Sequence, residues 1–177
     1  MMDDVEANGA FDLDSPFWRF ALKVYAQPGV SPLCLTLQDE NGIDVNLLLF
    51  ACWCGGTGRR LTAQHVETAA ASTVAWTEGV VRNLRAARRA WKMIGPDEPQ
   101  AWAGREALKS VELLSERIVC ATLYGMADRL GCVREAELHP MGAIGANLGL
   151  VLRRAGVAPD RVDAAARLLV DACRTVA

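Results

Sequence analysis

The stretch SPLCLTLQDENGIDVNLLLFACWCGG, residues 31–56, decides the fold class of this chain because it is compatible with two opposite structures. Leucine recurs at positions 33, 35 and 37, as it would in a strand, and an Asn-Gly pair follows at 41–42. Asn-Gly between two apolar runs is a strong signal for a two-residue β-hairpin turn. The same pair is also typical of a helix C-terminus, where glycine and asparagine adopt the left-handed conformation.

The chemistry of the surrounding residues favours two helices over a hairpin. Ser31-Pro32 is a helix-start signal, and Asp44 is placed to cap a second helix. Aspartate and glutamate have low β-propensity, no other segment resembles a strand, and an isolated hairpin is only marginally stable in water. We therefore expect a helix that ends near Glu40, a turn at Asn41-Gly42, and a second helix that begins with VNLLLF.

Helix starts, apolar stripes and glycine or proline stops recur through the rest of the chain. They predict helices at about 16–27, 62–93, 101–130 and 135–154, and a last one that begins at Pro159. The expected fold is an all-α, single compact domain of about six to seven helices over residues 15–177. An acidic disordered leader is expected at residues 1–14.

The apolar positions of the two longest helices predict which faces are buried. In the first helix they are Trp76, Val80, Leu84, Ala87 and Trp91; in the second they are Leu108, Val111, Leu114 or Ser115, Ile118 and Ala121.

Composition is that of a globular protein that binds neither membranes nor nucleic acid through its overall charge. The chain has 177 residues, of which 51% are hydrophobic and 23% charged, and its net charge is -2. It contains no run of about 18 apolar residues that could span a bilayer. Its first residues are acidic where a signal peptide would be basic. We expect a cytoplasmic protein, with nucleic acid disfavoured as a partner.

Metal, cofactor and catalytic signals are weak. Cys52 and Cys54 are two positions apart, so on one helix they point to nearly opposite sides, and the only histidines, His65 and His139, are distant in sequence. No nucleophile elbow, dinucleotide fingerprint or zinc-protease motif is present. The sequence therefore predicts no metal site, no cofactor and no catalytic residue, and it favours a protein that is not an enzyme.

One candidate site is the polar cluster at the turn within the opening stretch. It consists of Gln38, Asp39, Asp44 and Asn46. Carboxylates between leucine runs could serve acid/base chemistry or bind a ligand, although helix capping by Asp44 explains part of the pattern. Asn46 is the harder residue to explain structurally, because an amide inside an apolar helix needs hydrogen-bond partners.

A second candidate is a basic stripe on the long helix, which suits an anionic ligand or an acidic partner. The alternative is a solvated face, partly paired with Glu106, Glu112 and Glu116 of the next helix. The stripe consists of Arg82, Arg85, Arg88, Arg89 and Lys92.

Residues 15–53 resemble a family of small proteobacterial proteins carried as a domain of unknown function. The pattern FWxFxLxVYxxPGV, followed by CLxLQDxxGxDVNLLLFxxW, carries the resemblance. The likeness continues through 76–89, covers about 15–92, and has a weaker echo in ANLGLVLRRAGV. The resemblance implies an all-helical fold and implies that the turn cluster and the basic stripe belong to the family pattern. It implies no activity.

These observations lead to two functional hypotheses. The first is a non-enzymatic cytosolic helical module, a homo-oligomer and most simply a homodimer, that binds a protein partner or a small anionic ligand. The five tryptophans on amphipathic helices suit such association. The alternative is a small helical enzyme or small-molecule binder with its site at the turn of residues 38–46.

Overall fold

The computed structural model describes residues 12–94, 99–132 and 140–176, and within these ranges the chain is all-α with no strand. Most of the leader expected at 1–14, the first residues of the helix expected at 135–154, and His139 lie outside the described residues. The helices are α1 (Pro16–Tyr25), α2 (Val30–Asn41), α3 (Val45–Gly56), α4 (Ala63–Trp76), a π-helical turn (Thr77–Val81), α5 (Arg82–Ile94), α6 (Pro99–Met126), α7 (Pro140–Arg154) and α8 (Pro159–Val176).

The opening stretch forms two helices, so the helix–turn–helix prediction is confirmed. Gly42 has a φ of 66° and ends α2 in the left-handed conformation, with its N–H donating to the Gln38 carbonyl at 3.0 Å. Asp44 caps α3, its carboxylate accepting from Asn46 N at 2.9 Å. The start of α2 differs from expectation: the helix begins at Val30, directly after a left-handed Gly29, so the Ser31-Pro32 pair lies inside the first turn.

Helix α3 is the centre of a single compact core, and α1, α6, α7 and α8 all pack against it. Every residue from position 45 to 55 is buried, which is why this helix is apolar on all faces. A Cβ on Gly55 would lie 2.5 Å from the backbone nitrogen of Ile144, so glycine is required where α3 crosses α7.

The buried face predicted for the long helix is partly wrong. The π turn separates α4 from α5 within one continuous helix, the Arg82 N–H donating to the Thr77 carbonyl five residues earlier. Such a turn takes more residues than an α turn, so the downstream positions shift: Val81, not Val80, is the residue buried at 2% exposure. Trp76 and Trp91 are 36% and 39% exposed, and Ala87 is exposed as well.

The face predicted for the next helix is also partly wrong. Val111 and Leu114 are 49% and 46% exposed, whereas the polar Glu112 and Ser115 between them are buried. Glu112 is buried because it pairs with arginines of α5. Ser115, the alternative to Leu114, and Ala121 do face the core, and Leu108 and Ile118 are half-buried.

Helix α5 packs against α6 and has no buried residue of its own. The indole of Trp91 lies so close to Gly104 that a Cβ there would be 2.3 Å from it. Large apolar side chains of this α5–α6 pair remain exposed: Trp91, Met93, Ile94 and Trp102. Across the described ranges, every helix is too short or too polar to cross a membrane.

Candidate functional site

The two candidate sets predicted from the sequence face each other across one cleft. Arg85 of α5 donates to the Gln38 side-chain oxygen of α2, and Arg89 donates to Asp39 Oδ1 at 2.9 Å. Helix α5 therefore lies over the α2–α3 turn, held there by side chains about 50 residues away in sequence. We call the space between α5, the π turn and the α2–α3 turn, together with its continuation toward α1 and α6, the cleft.

One part of the cleft is a polar cavity of about 300 Å³ between the α2–α3 turn and the π turn. All four turn candidates line it, and Thr77 and Glu78 of the π turn form the opposite wall. π turns occur frequently at functional sites. The charged and amide side chains of this polar cavity are Gln38, Asp39, Asp44, Asn46, Glu78, Arg82, Arg85 and Arg89.

Asp44 is both a structural cap and a titratable group whose surroundings disfavour its charged form. Burial raises the pKa of its carboxyl group above the ordinary value, and nearby Glu78 raises it further. The backbone N–H groups of Asn46 and Leu47 and the charge of Arg85 lower the pKa, but the net result is still a raised pKa. The carboxyl group of Asp44 is thus poised to hold a proton at a higher pH than an exposed aspartate.

Asn46 lies at the junction of the cleft, and its amide is poorly satisfied. The residue is only 8% exposed, and its Oδ1 accepts a weak hydrogen bond from the Cys120 thiol at 3.5 Å. Its Nδ2 has no acceptor among the described residues. This nitrogen is not among the fully buried atoms of the described residues, so it is accessible from the cleft to solvent or to a ligand.

Arg85 is the hub of a charge network that runs under the cleft. Its guanidinium contacts Glu112 at 3.3 Å and Glu116 at 2.5 Å. Arg88 contacts the same Glu112 at 2.6 Å, a hydrogen bond that raises the pKa of Arg88. Burial is the largest effect on the Glu116 carboxyl group and, together with the nearby charges of Glu112 and Asp44, leaves its pKa raised although Arg85 acts to lower it. The network ties α5 to α6 and fixes the arginines that face the α2–α3 turn.

Most of the basic stripe is therefore paired with carboxylates. Arg82 pairs with Glu78 on its own helix, and the exposed Arg89 pairs with Asp39. Lys92 has no ion-pair partner among the described residues. The sequence-based alternative of a face paired with the next helix thus holds for Arg85 and Arg88, whose partners are Glu112 and Glu116.

The cleft continues into a second space of about 390 Å³, which we call the amphipathic cavity. Apolar side chains of α1, α2 and α3 form one wall, among them Trp18, Leu22 and Leu35. Charged side chains of α5 and α6 form the other. Gln38, Asn46, Arg85 and Arg89 line both cavities and separate them. Sequence reasoning missed this cavity, because its walls come from five helices that are distant along the chain.

Asn147 on α7 is a second buried amide that sequence reasoning passed over. It is fully buried; Oδ1 accepts from Leu61 N at 2.9 Å, and Nδ2 donates to the carbonyls of Ala51 and Arg59 at 3.2 and 3.0 Å. Its position inside the apolar run ANLGLVL was the available signal. It holds the loop after α3 against α7 and has no group left for a ligand.

The cysteines and His65 do not form a further site in the described part of the chain. Cys52 and Cys54 are both buried. His65 completes a capping box with Thr62 and lies 3.4 Å from the half-buried Cys132. Within the described ranges, no group of three or more histidine, cysteine or acidic side chains is arranged to hold a metal ion.

Comparison with known proteins gives a family but no activity. The model of a family described as "Protein of unknown function (DUF2390)" matches residues 16–123, more than half of the chain. The walls of both cavities lie entirely within this span, whereas α7 and α8 lie outside it. No curated protein and no solved structure matches the chain.

Proposed function

The chain belongs to the family described as "Protein of unknown function (DUF2390)", a description that names no activity, and we propose its function from the geometry of the cleft. The protein is a non-enzymatic helical binding module for a small organic ligand with an anionic group. The observation that carries the proposal is the meeting of two cavities at Asn46, whose amide nitrogen lacks an acceptor among the described residues. Concave sites with a few convergent polar groups are typical of small-molecule binding.

The charges around the cleft support binding more than acid/base chemistry. Its arginines and carboxylates are largely engaged with one another, and Asp44 is engaged as a helix cap. Such mutual pairing gives a preorganised polar surface, which reduces the cost of ordering side chains on binding. It also disfavours nucleic acid, whose affinity comes from many cations that neutralise phosphates together, whereas a ligand with one anionic group needs only one or two.

Native mass spectrometry of the full chain, purified without denaturant, tests this proposal. We expect a small-molecule adduct that denaturation releases. Arg89 is exposed and lines both cavities, so Arg89→Glu should lower adduct occupancy without affecting the core. Arg174→Glu, an exposed arginine on α8 outside both cavities, is the matched control and should keep the adduct. Absence of any adduct, or equal occupancy in both variants, would contradict the proposal.

A second candidate function, catalysis at the same cleft, is favoured by one observation. Asp44 lines the polar cavity, and burial raises its pKa, an arrangement suited to a general acid. Asp44→Asn separates the two functions, because asparagine caps helices about as well as aspartate. A catalyst would lose conversion of the released ligand in this variant while folding and binding persist. Conversion by the variant at the wild-type rate would eliminate this candidate.

We also propose that the protein is a cytoplasmic homo-oligomer that associates through the α5–α6 pair. The exposed apolar side chains Trp91, Met93, Ile94 and Trp102 support this. Trp102→Lys should shift the sedimentation coefficient of the wild-type oligomer to that of a monomer. Val74→Lys, a substitution of a 50% exposed valine on α4, is the control and should leave the oligomer unchanged. A monomeric wild-type chain would refute the homo-oligomer.

A further inference from the structure

We propose that the amphipathic cavity binds a hydrophobic carboxylic acid, with the apolar body against the α1–α3 wall and the carboxylate on Arg105 and Lys109 of α6. This inference names the ligand class for the binding function proposed above and rests on it. It is carried by the division of the cavity into an apolar wall and a cationic wall, and by the unequal pairing of the cations.

The apolar wall is open where a ligand would cover it. The floor is buried: Trp18 is 8% and Leu49 3% exposed. The rim is not, because Leu22 and Leu35 are 47% and 46% exposed, as is Leu113 across the cavity at 46%. A hydrocarbon or aryl body placed here would remove all three leucines from water, which is the main favourable term in binding apolar groups.

The cations of the opposite wall differ in how well they are already paired. Glu112 and Glu116 accept close hydrogen bonds from Arg85 and Arg88. Among the described residues, the carboxylate that pairs with Arg105 and Lys109 is Glu106 alone, at 4.0 and 3.5 Å, distances too long for a strong hydrogen bond. The cavity thus contains one satisfied cation pair and one that lacks a close carboxylate.

Arg105 shows the lack of a close hydrogen-bond acceptor most clearly. Its Nε is buried and has no hydrogen-bond acceptor among the described residues. A buried donor without a partner is costly, and a guanidinium edge accommodates a carboxylate through two parallel hydrogen bonds. The Arg105 side chain is 30% exposed, so a ligand carboxylate would reach the accessible part of its guanidinium and complete the pairing that Glu106 leaves incomplete; Nε itself would gain a partner only if the side chain turned toward the ligand.

The charge balance of the cavity selects an anion. Five cations line it, against three carboxylates: Arg85, Arg88, Arg89, Arg105 and Lys109 face Glu106, Glu112 and Glu116, and since Arg89 is also paired with Asp39 beside the cavity, one net positive charge remains. The volume of about 390 Å³ lies in the usual range for small-molecule sites. A small acid therefore suits this cavity better than a peptide helix, which would need an open groove along its length.

Calorimetric titration of the full chain with three probes tests the carboxylate group and the hydrocarbon chain of the ligand separately. Decanoate combines both groups, decanol keeps the body without the charge, and acetate keeps the charge without the body. We expect decanoate to bind about tenfold or more tightly than decanol, the equivalent of one charge-assisted hydrogen bond, and acetate not to bind. Equal affinity for decanoate and decanol, or for decanoate and acetate, would overturn the proposal.

Two pairs of variants locate the binding mode. Arg105→Met should reduce decanoate affinity about tenfold while decanol affinity stays constant, and Arg174→Met on α8 should change neither. Leu35→Gln should weaken both decanoate and decanol, and Val74→Gln, at a similarly exposed valine outside the cavity, should weaken neither. Circular dichroism confirms that each variant is folded. Full decanoate affinity in Arg105→Met would overturn the assignment of the carboxylate site.

The outcomes also separate this inference from the function on which it rests. A native adduct that decanoate displaces supports both the binding function and the carboxylic-acid ligand. An adduct that decanoate neither displaces nor prevents from rebinding refutes the carboxylic-acid ligand but leaves the binding function standing. A chain that carries no adduct but binds an acidic amphipathic peptide refutes both. Co-sedimentation with phosphatidylglycerol vesicles, without binding of free decanoate, would replace the free acid with a lipid surface and overturn the proposal.

Discussion

Two buried asparagines show how the two sides of this molecule differ. Asn147, on the α3–α7 side, is fully buried, and its side chain makes three hydrogen bonds to backbone groups. Asn46, on the side of α5 and α6, is almost as buried, but among the described residues its amide has one hydrogen-bond partner, the Cys120 thiol at 3.5 Å. The same residue type therefore completes the structure in one region and leaves hydrogen-bonding capacity unused in the other. That unused capacity is what distinguishes a candidate binding site from a core.

The largest predicted effect concerns Asn147, the asparagine whose amide is fully hydrogen-bonded. Asn147→Leu removes three hydrogen bonds and leaves the Leu61 N–H and the Arg59 carbonyl buried without this partner. We expect a loss of about 3–4 kcal/mol in the free energy of unfolding, measured by urea denaturation. A loss below about 1 kcal/mol would mean that water replaces the asparagine and that the site is not dry.

The second effect tests the charge network under the cleft. Glu112→Gln removes a buried charge that both Arg85 and Arg88 contact, while keeping the side chain's size. We expect the free energy of unfolding to fall by about 2 kcal/mol, less than for breaking a fully buried pair, because both arginines remain partly accessible to water. Urea denaturation measures it, and Glu106→Gln, at a carboxylate with only long contacts, is the control with little change.

The third prediction sharpens the contrast between the two amides. Asn46→Leu removes one weak bond to a thiol, so its unfolding free energy should stay within about 1 kcal/mol of the wild type. Ligand occupancy in native mass spectrometry should nevertheless fall, because the unpaired donor is lost. A destabilisation as large as that of Asn147→Leu would show that Asn46 is a structural amide.

The smallest effect is a pH dependence that only the cleft side should show. Burial raises the pKa of Asp44 above 3.8, so the folded state binds a proton that the unfolded chain has already released. Its contribution to stability is full below pH 3.8 and is lost as the pH rises through the higher folded pKa. Asp44→Asn should therefore flatten this part of the stability curve, measured by urea denaturation at successive pH values. An unchanged slope would refute the raised pKa.

The sequence predicted helix ends well where they depend on the side chains of a few neighbouring residues. The left-handed Gly42 and the Asp44 cap follow from side-chain types at adjacent positions, which is why the α2–α3 turn could be predicted. The π turn could not, since nothing in the sequence of residues 77–81 distinguishes it from an α turn. The exposure of Val111 beside a buried Glu112 likewise depends on arginines of another helix.

The candidate site was predicted in parts rather than as a whole. The turn cluster and the basic stripe were both identified as candidates, but nothing in the sequence indicated that Arg85 would contact Gln38. That contact joins residues of α5 and α2 and depends on how helices pack. The amphipathic cavity could not be predicted for the same reason, since α1, α2, α3, α5 and α6 all contribute to it.

The extra residue in the π turn at Thr77–Val81 sets the direction in which the side chains of α5 point. Each residue of an α-helix rotates the next by about 100°, so if residues 77–81 continued from α4 as a regular α-helix, the residue that the π turn absorbs would turn α5 by about that angle. Arg85 and Arg89 would then point away from the α2–α3 turn, and the two halves of the cleft would no longer meet. Deletion of Gly79, which has open space around it, would instead remove the extra residue and keep α5 in phase. The helical phase set by one residue decides which face of α5 the turn encounters.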